Sequence, residues 1–281
     1  MYLSRIQLND AIGQNSQLGL LLKDRSYGIH RLLHDLFSGN ERFLFREEIA
    51  NEQMQTSRST PLYYTLSKEE PKLDSVIFNV DTKPFTPKID SGSKLLFRLR
   101  ANPTISRLID GKKKSVRHDV IMNAQREFLI SECHTRGIQT DLTKGELLKA
   151  LHRHKDYKGN DGANRLQDAM TAVIDEATKQ WLIKRGQNYG FDIEPRQLQA
   201  TGYRWNALPE KNRKAGFSSV DYEGVLTVTD SSLFLETIAQ GLGPAKAFGC
   251  GLITYLRLRT LLISKQPPFS KLTFVNSSEA A

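Results

Sequence analysis

Polar and apolar positions along YLSRIQL, residues 2–8, put Tyr2, Ile6 and Leu8 on one side, the pattern of a half-buried strand. After a polar segment, SYGIHRLLHDLF changes to helical spacing. Ile29, Leu32, Leu33, Leu36 and Phe37 make one apolar stripe, and Ser26 stands where an N-cap belongs. Ser38-Gly39-Asn40 ends that helix, and RFLFRE resumes as a strand. LDSVIFNV and KLLFRLR predict two more strands, separated by the Pro-containing DTKPFTPKIDSGS. In KLLFRLR, Leu95, Phe97 and Leu99 share one face while Lys94, Arg98 and Arg100 share the other, a cationic face interrupted by Leu96. The first half closes near Asn102-Pro103.

From about Val120 to Gly186 the pattern is helical throughout, enough for two or three helices. Leu166, Met170, Val173, Ala177 and Trp181 follow one stripe, YKGNDGAN punctuates the run at 157–164, and Gly186 is a C-cap candidate. Beyond the basic turn PEKNRKAG, Tyr222, Gly224, Leu226 and Val228 alternate as in a strand. Asp230 or Ser231 can cap the next helix, with Leu235, Ile238, Ala239 and Leu242 as its buried stripe. GLGPAKAFGCG follows, and LITYLRL predicts a last strand. Two halves that each read strand, helix, strands predict an α+β fold of two ferredoxin-like units. The expected domains are 1–115 and 116–281, with a helical insertion at about 125–175 inside the second.

Composition sharpens this picture through charge. Forty Lys and Arg against 31 Asp and Glu give +9 and a pI near 9.5, a balance that suits a polyanionic partner. Cys133 and Cys250 alone make neither a disulfide framework nor a metal knuckle. The N-terminus MYLSRIQLND lacks an apolar core of signal-peptide length, and no apolar stretch is long enough to span a bilayer. A cytoplasmic protein without a membrane partner is expected.

Two segments carry candidate chemistry. In Gly241-Leu242-Gly243 through Gly249-Cys250-Gly251, paired glycines permit close backbone approach, and exposed amides there can bind phosphate. The segment lacks the Gly-Lys-Ser/Thr of a P-loop and follows a helix, unlike a Rossmann fingerprint. On spacing alone it is equally a tight helix-to-strand turn. In the first helix, Tyr27, His30 and His34 line a stripe beside the apolar face. Imidazole suits proton transfer near neutral pH, although a histidine on an arbitrary helix is more often interfacial. His30 and His34 have the spacing of a metal pair but no HExxH glutamate or evident third ligand, and His152 and His154 point to different helix faces. Neither a metal nor another cofactor is expected.

Together, FRLRANPT (97–104), YEGVLTVTD (222–230), QGLGPAKAFGCGL (240–252), the opening MYLS and Tyr27-x-x-His30 resemble the CasE branch of the CRISPR repeat-processing endoribonucleases. The resemblance covers both ends of the chain and is poor across roughly 125–175. It implies two ferredoxin-like, RRM-type domains and cleavage of precursor transcripts at the 3′ base of a repeat stem-loop. It implies attack by the 2′-hydroxyl, leaving a 2′,3′-cyclic phosphate and a 5′-hydroxyl, and it also implies retention of the guide RNA and assembly with other Cascade subunits. His30 aligns with the family's catalytic histidine and Tyr27 with its accompanying tyrosine, whereas His34 has no such support and stays an interfacial residue. Arg98, Arg100, Lys211, Arg213, Lys214, Lys246, Gly243 and Gly249 become the RNA-contact candidates. The basic run Lys112-Lys113-Lys114-Ser115-Val116-Arg117 is as well explained by solvation. The rival expectations are a non-catalytic RNA-binding effector subunit and a single-stranded DNA-binding module. The second leaves the glycine pattern and Tyr27-x-x-His30 unexplained.

Overall fold

The computed structural model describes residues 1–9, 27–38, 42–48, 62–108, 115–208 and 216–258. Its first elements are β1 (Tyr2–Leu8), α1 (Tyr27–His34), β2 (Leu44–Glu48), β3 (Leu62–Ser67), β4 (Phe78–Pro84) and β5 (Lys94–Ala101). Next come β6 (Thr104–Arg107), β7 (Val116–Asp119), α2 (Val120–Thr135), α3 (Lys144–Arg153) and α4 (Gly159–Gly186). The chain continues with β8 (Phe191–Ala207), β9 (Gly216–Val228), α5 (Ser231–Gln240) and β10 (Ile253–Arg257). It falls into two compact units, residues 1–102 with 186–281, and residues 103–185.

The first unit holds two four-stranded antiparallel sheets, ordered β2-β3-β1-β4 and β10-β5-β9-β8. Each has its own first and third strands in the centre and its second and fourth at the edges, the ferredoxin-like order. In the first sheet α1 is the crossover after β1, while an irregular link, 68–77, stands where a second helix would be. In the second sheet α5 is the later crossover, and residues 103–185 occupy the sequence position of the earlier one. The fold is α+β with two ferredoxin-like sheets and a helical insertion. The division expected near residue 115 does not follow the sheets, because β5 lies between β10 and β9 rather than joining the N-terminal strands. Alternation in KLLFRLR identifies two faces, but nothing local to it names its pairing partner.

The apolar stripe of α1 covers one face of the first sheet. Ile29, Leu32, Leu33, Leu36 and Phe37 pack with Ile6, Phe43, Phe45, Tyr63 and Phe78 in one buried cluster. β3 gives no periodic signal because every one of its residues is buried, so its two faces do not differ in polarity. β8 also lacks a readable period. Its alternation is broken by register shifts between Ile193 and Leu198 and between Thr201 and Arg204, close to Pro195 and Gly202. Asp230 caps α5 by accepting a hydrogen bond from the Leu233 amide at 2.9 Å. Of the expected stripe Ile238 and Leu242 are buried, Leu235 is half-buried and Ala239 faces solvent, while Phe234 and Thr237 complete the buried side of α5. Gly186 ends α4 without a left-handed turn. A Cβ there would lie 2.6 Å from the Phe191 carbonyl oxygen, and the positive φ falls at Gly190 instead.

The second unit contains the β6–β7 hairpin and three helices, matching the predicted helical character from Val120 to Gly186. Residues 159–164 belong to the start of α4 rather than to a break. Leu129, Cys133, Leu147, Leu151 and Leu166 form its core. Met170 and Trp181 are buried as the stripe predicts, but Val173 is 37% exposed. Among the described residues no helix is long and apolar enough to cross a membrane. Ser26 and Lys112-Lys113-Lys114 lie outside the described residues.

Candidate functional site

The apolar stripe that seats α1 on its sheet also fixes the angle at which His30 and His34 leave the helix, one turn apart at its edge. His30 is half-buried, its imidazole stacked on the Phe43 ring at 5.4 Å and 14° and tilted against Phe45 at 6.1 Å. Phe43 is held in turn by Phe37, at 4.6 Å between centroids. Burial lowers the pKa of His30 below the ordinary 6.5, and the charge of His34 lowers it further. A neutral imidazole at physiological pH is a proton acceptor. Tyr27 is the first residue of α1, three positions before His30 and so on the same side of the helix. Its side chain lies outside the described residues, as do Lys211, Arg213 and Lys214.

The glycine segment comes to the same place from the opposite end of the chain. It wraps the edge strand β2, with a Cβ at Gly241 falling 2.7 Å from Leu44 and one at Gly249 falling 3.2 Å from the Phe45 ring. Leu44 and Phe45 point to opposite faces of β2, so the segment embraces that edge. Gly249 combines this contact with a φ of +78°, a conformation that disfavours any side chain. Between the glycines, Lys246–Phe248 forms a single 3-10 turn that contacts both α1 and β2, entered through Ala245 in the left-handed region at φ 62°. Phe45 therefore touches both His30 and the glycine segment. Gly249 is buried and serves packing; Gly243, at φ +81°, is half-buried.

Lys246 lies half-buried on this turn, and Arg42 is exposed just ahead of β2. Burial lowers the pKa of Lys246 first, and the nearby guanidinium of Arg42 lowers it further. A half-buried lysine and an exposed arginine that repel one another both gain from an anion close by. Sequence reasoning misses Arg42 because its neighbour in space, Lys246, belongs to the other end of the chain. It misses Arg204 for a similar reason. Arg204 is exposed on the face of the β8–β9 hairpin that carries Phe217, and Phe217 packs on Phe248 of the glycine segment at 5.0 Å.

On the cationic face of β5, Arg100 is engaged inside the protein. Arg100 is 8% exposed and makes a bidentate pair with Asp221, at 2.9 Å through both Nε and Nη2. Its Nη1 donates to the Glu47 carbonyl oxygen at 3.4 Å, and Arg46 of β2 approaches the same Asp221 at 3.5 Å. This cluster joins the two sheets, and the Gly251 amide donates to the Arg100 carbonyl oxygen at 2.7 Å. Arg100 therefore supports the glycine segment and has no guanidinium edge to offer a phosphate. Arg98 pairs with the half-exposed Glu223 at 3.2 Å and is the more accessible of the two. Cys250, beside this cluster, has its thiol pushed up to about 12 by burial. Among the described residues no group of three or more His, Cys, Asp or Glu is placed to hold a metal ion.

Comparison with known proteins adds a family match to this geometry. A family model described as CRISPR associated protein matches residues 1–257. The CRISPR system Cascade subunit CasE of Escherichia coli (strain K12) is 27% identical over 236 residues, covering 81% of this chain and 90% of that protein. The CRISPR-associated endoribonuclease Cse3 of Thermus thermophilus is 27% identical over 263 residues, covering 90% and 99%. A structure of Thermus thermophilus Cse3 bound to an RNA representing a pre-cleavage complex superposes with a TM-score of 0.55 at 24% identity, covering 91% of this chain and 98% of that one. At that identity the superposition speaks for the fold.

Proposed function

The chain belongs to the CRISPR associated protein family, in its CasE branch, and from that premise we propose that it is the endoribonuclease that processes CRISPR repeat RNA. It binds the repeat stem-loop, cuts precursor transcripts at the 3′ base of the stem, and keeps the guide as a subunit of a Cascade-type complex in the cytoplasm. The observation that carries this reading is the convergence of His30 and the glycine segment on Phe45, beside the apposed cations Arg42 and Lys246. That arrangement offers a proton-transfer group and an anion site together, which phosphodiester cleavage by an internal nucleophile requires.

The 2′-hydroxyl upstream of the cut attacks the adjacent phosphorus, and the bond to the 5′-oxygen breaks. The products are a 2′,3′-cyclic phosphate and a 5′-hydroxyl. His30 moves a proton in this step, and Tyr27 positions the ribose or phosphate or stabilises its charge. Lys246 and the backbone around Gly243 contact the phosphate, with Gly249 shaping the loop. Lys211, Arg213 and Lys214, between β8 and β9 in the sequence, follow the stem backbone, since A-form RNA is recognised mainly through shape, phosphate and 2′-hydroxyl. Arg98 is a further backbone contact. In this reading each four-stranded sheet is one RRM-type domain. Retention of the cut RNA makes product release limiting and multiple turnover slow.

The reading is tested with a repeat RNA carrying 2′-deoxyribose just upstream of the cut. It should bind as the all-ribose RNA does and resist cleavage, and normal cutting of it would refute the mechanism. His30→Ala should keep stem-loop affinity and lose cleavage; a variant that cuts at the wild-type rate would remove His30 from the chemistry.

A further inference from the structure

An intramolecular phosphoryl transfer moves two protons, one off the attacking 2′-hydroxyl and one onto the departing 5′-oxygen. His30 accounts for one of them. The second imidazole on the same stripe of α1 reads from sequence as an interfacial residue, and its surroundings do not fit that description. The His34 ring is half-buried, one helical turn beyond His30 and on the same side of α1. Its neighbours are His30, at 6.2 Å between centroids and 45° between planes, and Phe43, at 6.4 Å. Phe43 thus props both imidazoles, at 5.4 Å from one and 6.4 Å from the other.

We infer that His34 is the second proton-transfer residue, the general acid for the leaving 5′-oxygen, paired with His30 as the general base. The inference rests on the reading of the chain as a ribonuclease whose nucleophile is the RNA's own 2′-hydroxyl. A gap of 6.2 Å between ring centroids admits a phosphate whose attacking and leaving oxygens each lie within hydrogen-bond reach, about 2.6–3.2 Å, of one imidazole. Neutral His30 takes the proton of the 2′-hydroxyl as the oxygen–phosphorus bond forms. Protonated His34 gives its proton to the 5′-oxygen as that bond to phosphorus breaks. The pair ends with the proton on His30 and returns to its starting state by exchange with water. Burial first, and the charge of His34 second, favour the neutral form of His30, the form a general base needs. The other charged groups around the pair are Arg31 and Asp35 on α1, Arg42 ahead of β2, and Lys246 on the turn that contacts α1.

The test compares two repeat RNAs, one natural and one with sulfur replacing the 5′-oxygen at the scissile bond, because a thiolate leaves without a proton. His34→Ala should cut the natural RNA about 100- to 10,000-fold more slowly than wild type, the usual contribution of a positioned acid. On the sulfur-linked RNA it should recover to near the wild-type rate, while His30→Ala stays slow on both. His34→Gln, which keeps a polar side chain of similar reach without titrating, should behave as His34→Ala and is read where the alanine variant fails to bind RNA. A His34 variant that cuts natural RNA at the wild-type rate, or is equally slow on both substrates, overturns the assignment. If wild type cuts neither RNA, the failure belongs to the ribonuclease reading itself.

Discussion

Replacing Asp221 with alanine removes the carboxylate shared by two guanidiniums that have little access to water. The Arg100 side chain is 10% exposed and that of Arg46 is 5% exposed. Both distances from Arg100 to this carboxylate are 2.9 Å, so the pair is bidentate, and Arg46 stands at 3.5 Å from it. Breaking a buried pair by removing one partner costs about 3–5 kcal/mol, because the remaining charge stays desolvated. Arg100 would keep its bond to the Glu47 carbonyl, which places the cost toward the lower end. At about 2–4 °C per kcal/mol for a protein of this class, the melting temperature should fall by roughly 6–20 °C. Glu223→Ala is the matched control. It breaks a pair on the same strand whose acid is 45% exposed, worth about 0–1 kcal/mol. Thermal unfolding followed by circular dichroism reads both variants. Asp221→Ala should also lower RNA cleavage, since the Arg100 backbone anchors Gly251. Equal melting shifts for the two variants would refute the claim that the Arg46–Asp221–Arg100 cluster joins the sheets.

Burial and His34 both disfavour charge on His30, so its neutral, proton-accepting form persists below pH 6.5. The acid limb of the cleavage rate should therefore lie below pH 6.5 and move upward in His34→Ala; single-turnover rates across pH check this, and a limb above 6.5 in wild type contradicts it. Gly249→Ala forces a side chain into φ +78° and against Phe45, costing about 1–2 kcal/mol in backbone strain alone. It should depress cleavage more than stem-loop affinity, as filter binding and cleavage assays on one preparation would show. Alanine at Lys211, Arg213 and Lys214 together should weaken stem-loop binding and flatten its salt dependence by about 2–3 in the logarithmic slope; an unchanged slope would remove that loop from the RNA path.

Much of the architecture is legible in the sequence wherever one face of an element is buried and the other is not. The α1 stripe and the alternation in β5 follow directly from that contrast, and the Asp230 cap follows from a short acceptor side chain standing just ahead of an apolar stripe. β3 is buried on both faces and β8 is broken by bulges near Pro195 and Gly202, so neither shows a period to read. The site is legible in its parts and not in its assembly. His30 and the glycine segment can be singled out from their residue types and company. That β2 lies between them, bringing Arg42 to Lys246, depends on pairings between strands far apart in sequence. Arg100 shows the converse: a cation on an alternating strand reads as exposed until Asp221 is placed beside it.

Whether the RNA supplies its own nucleophile is written in the chemistry of the cut ends. Purified protein is incubated with its own repeat RNA in EDTA, and the ends are mapped. The cut should fall at the 3′ base of the stem and leave a 2′,3′-cyclic phosphate and a 5′-hydroxyl, at a rate unaffected by chelator. A 3′-hydroxyl with a 5′-phosphate, or cleavage abolished by EDTA, would contradict it.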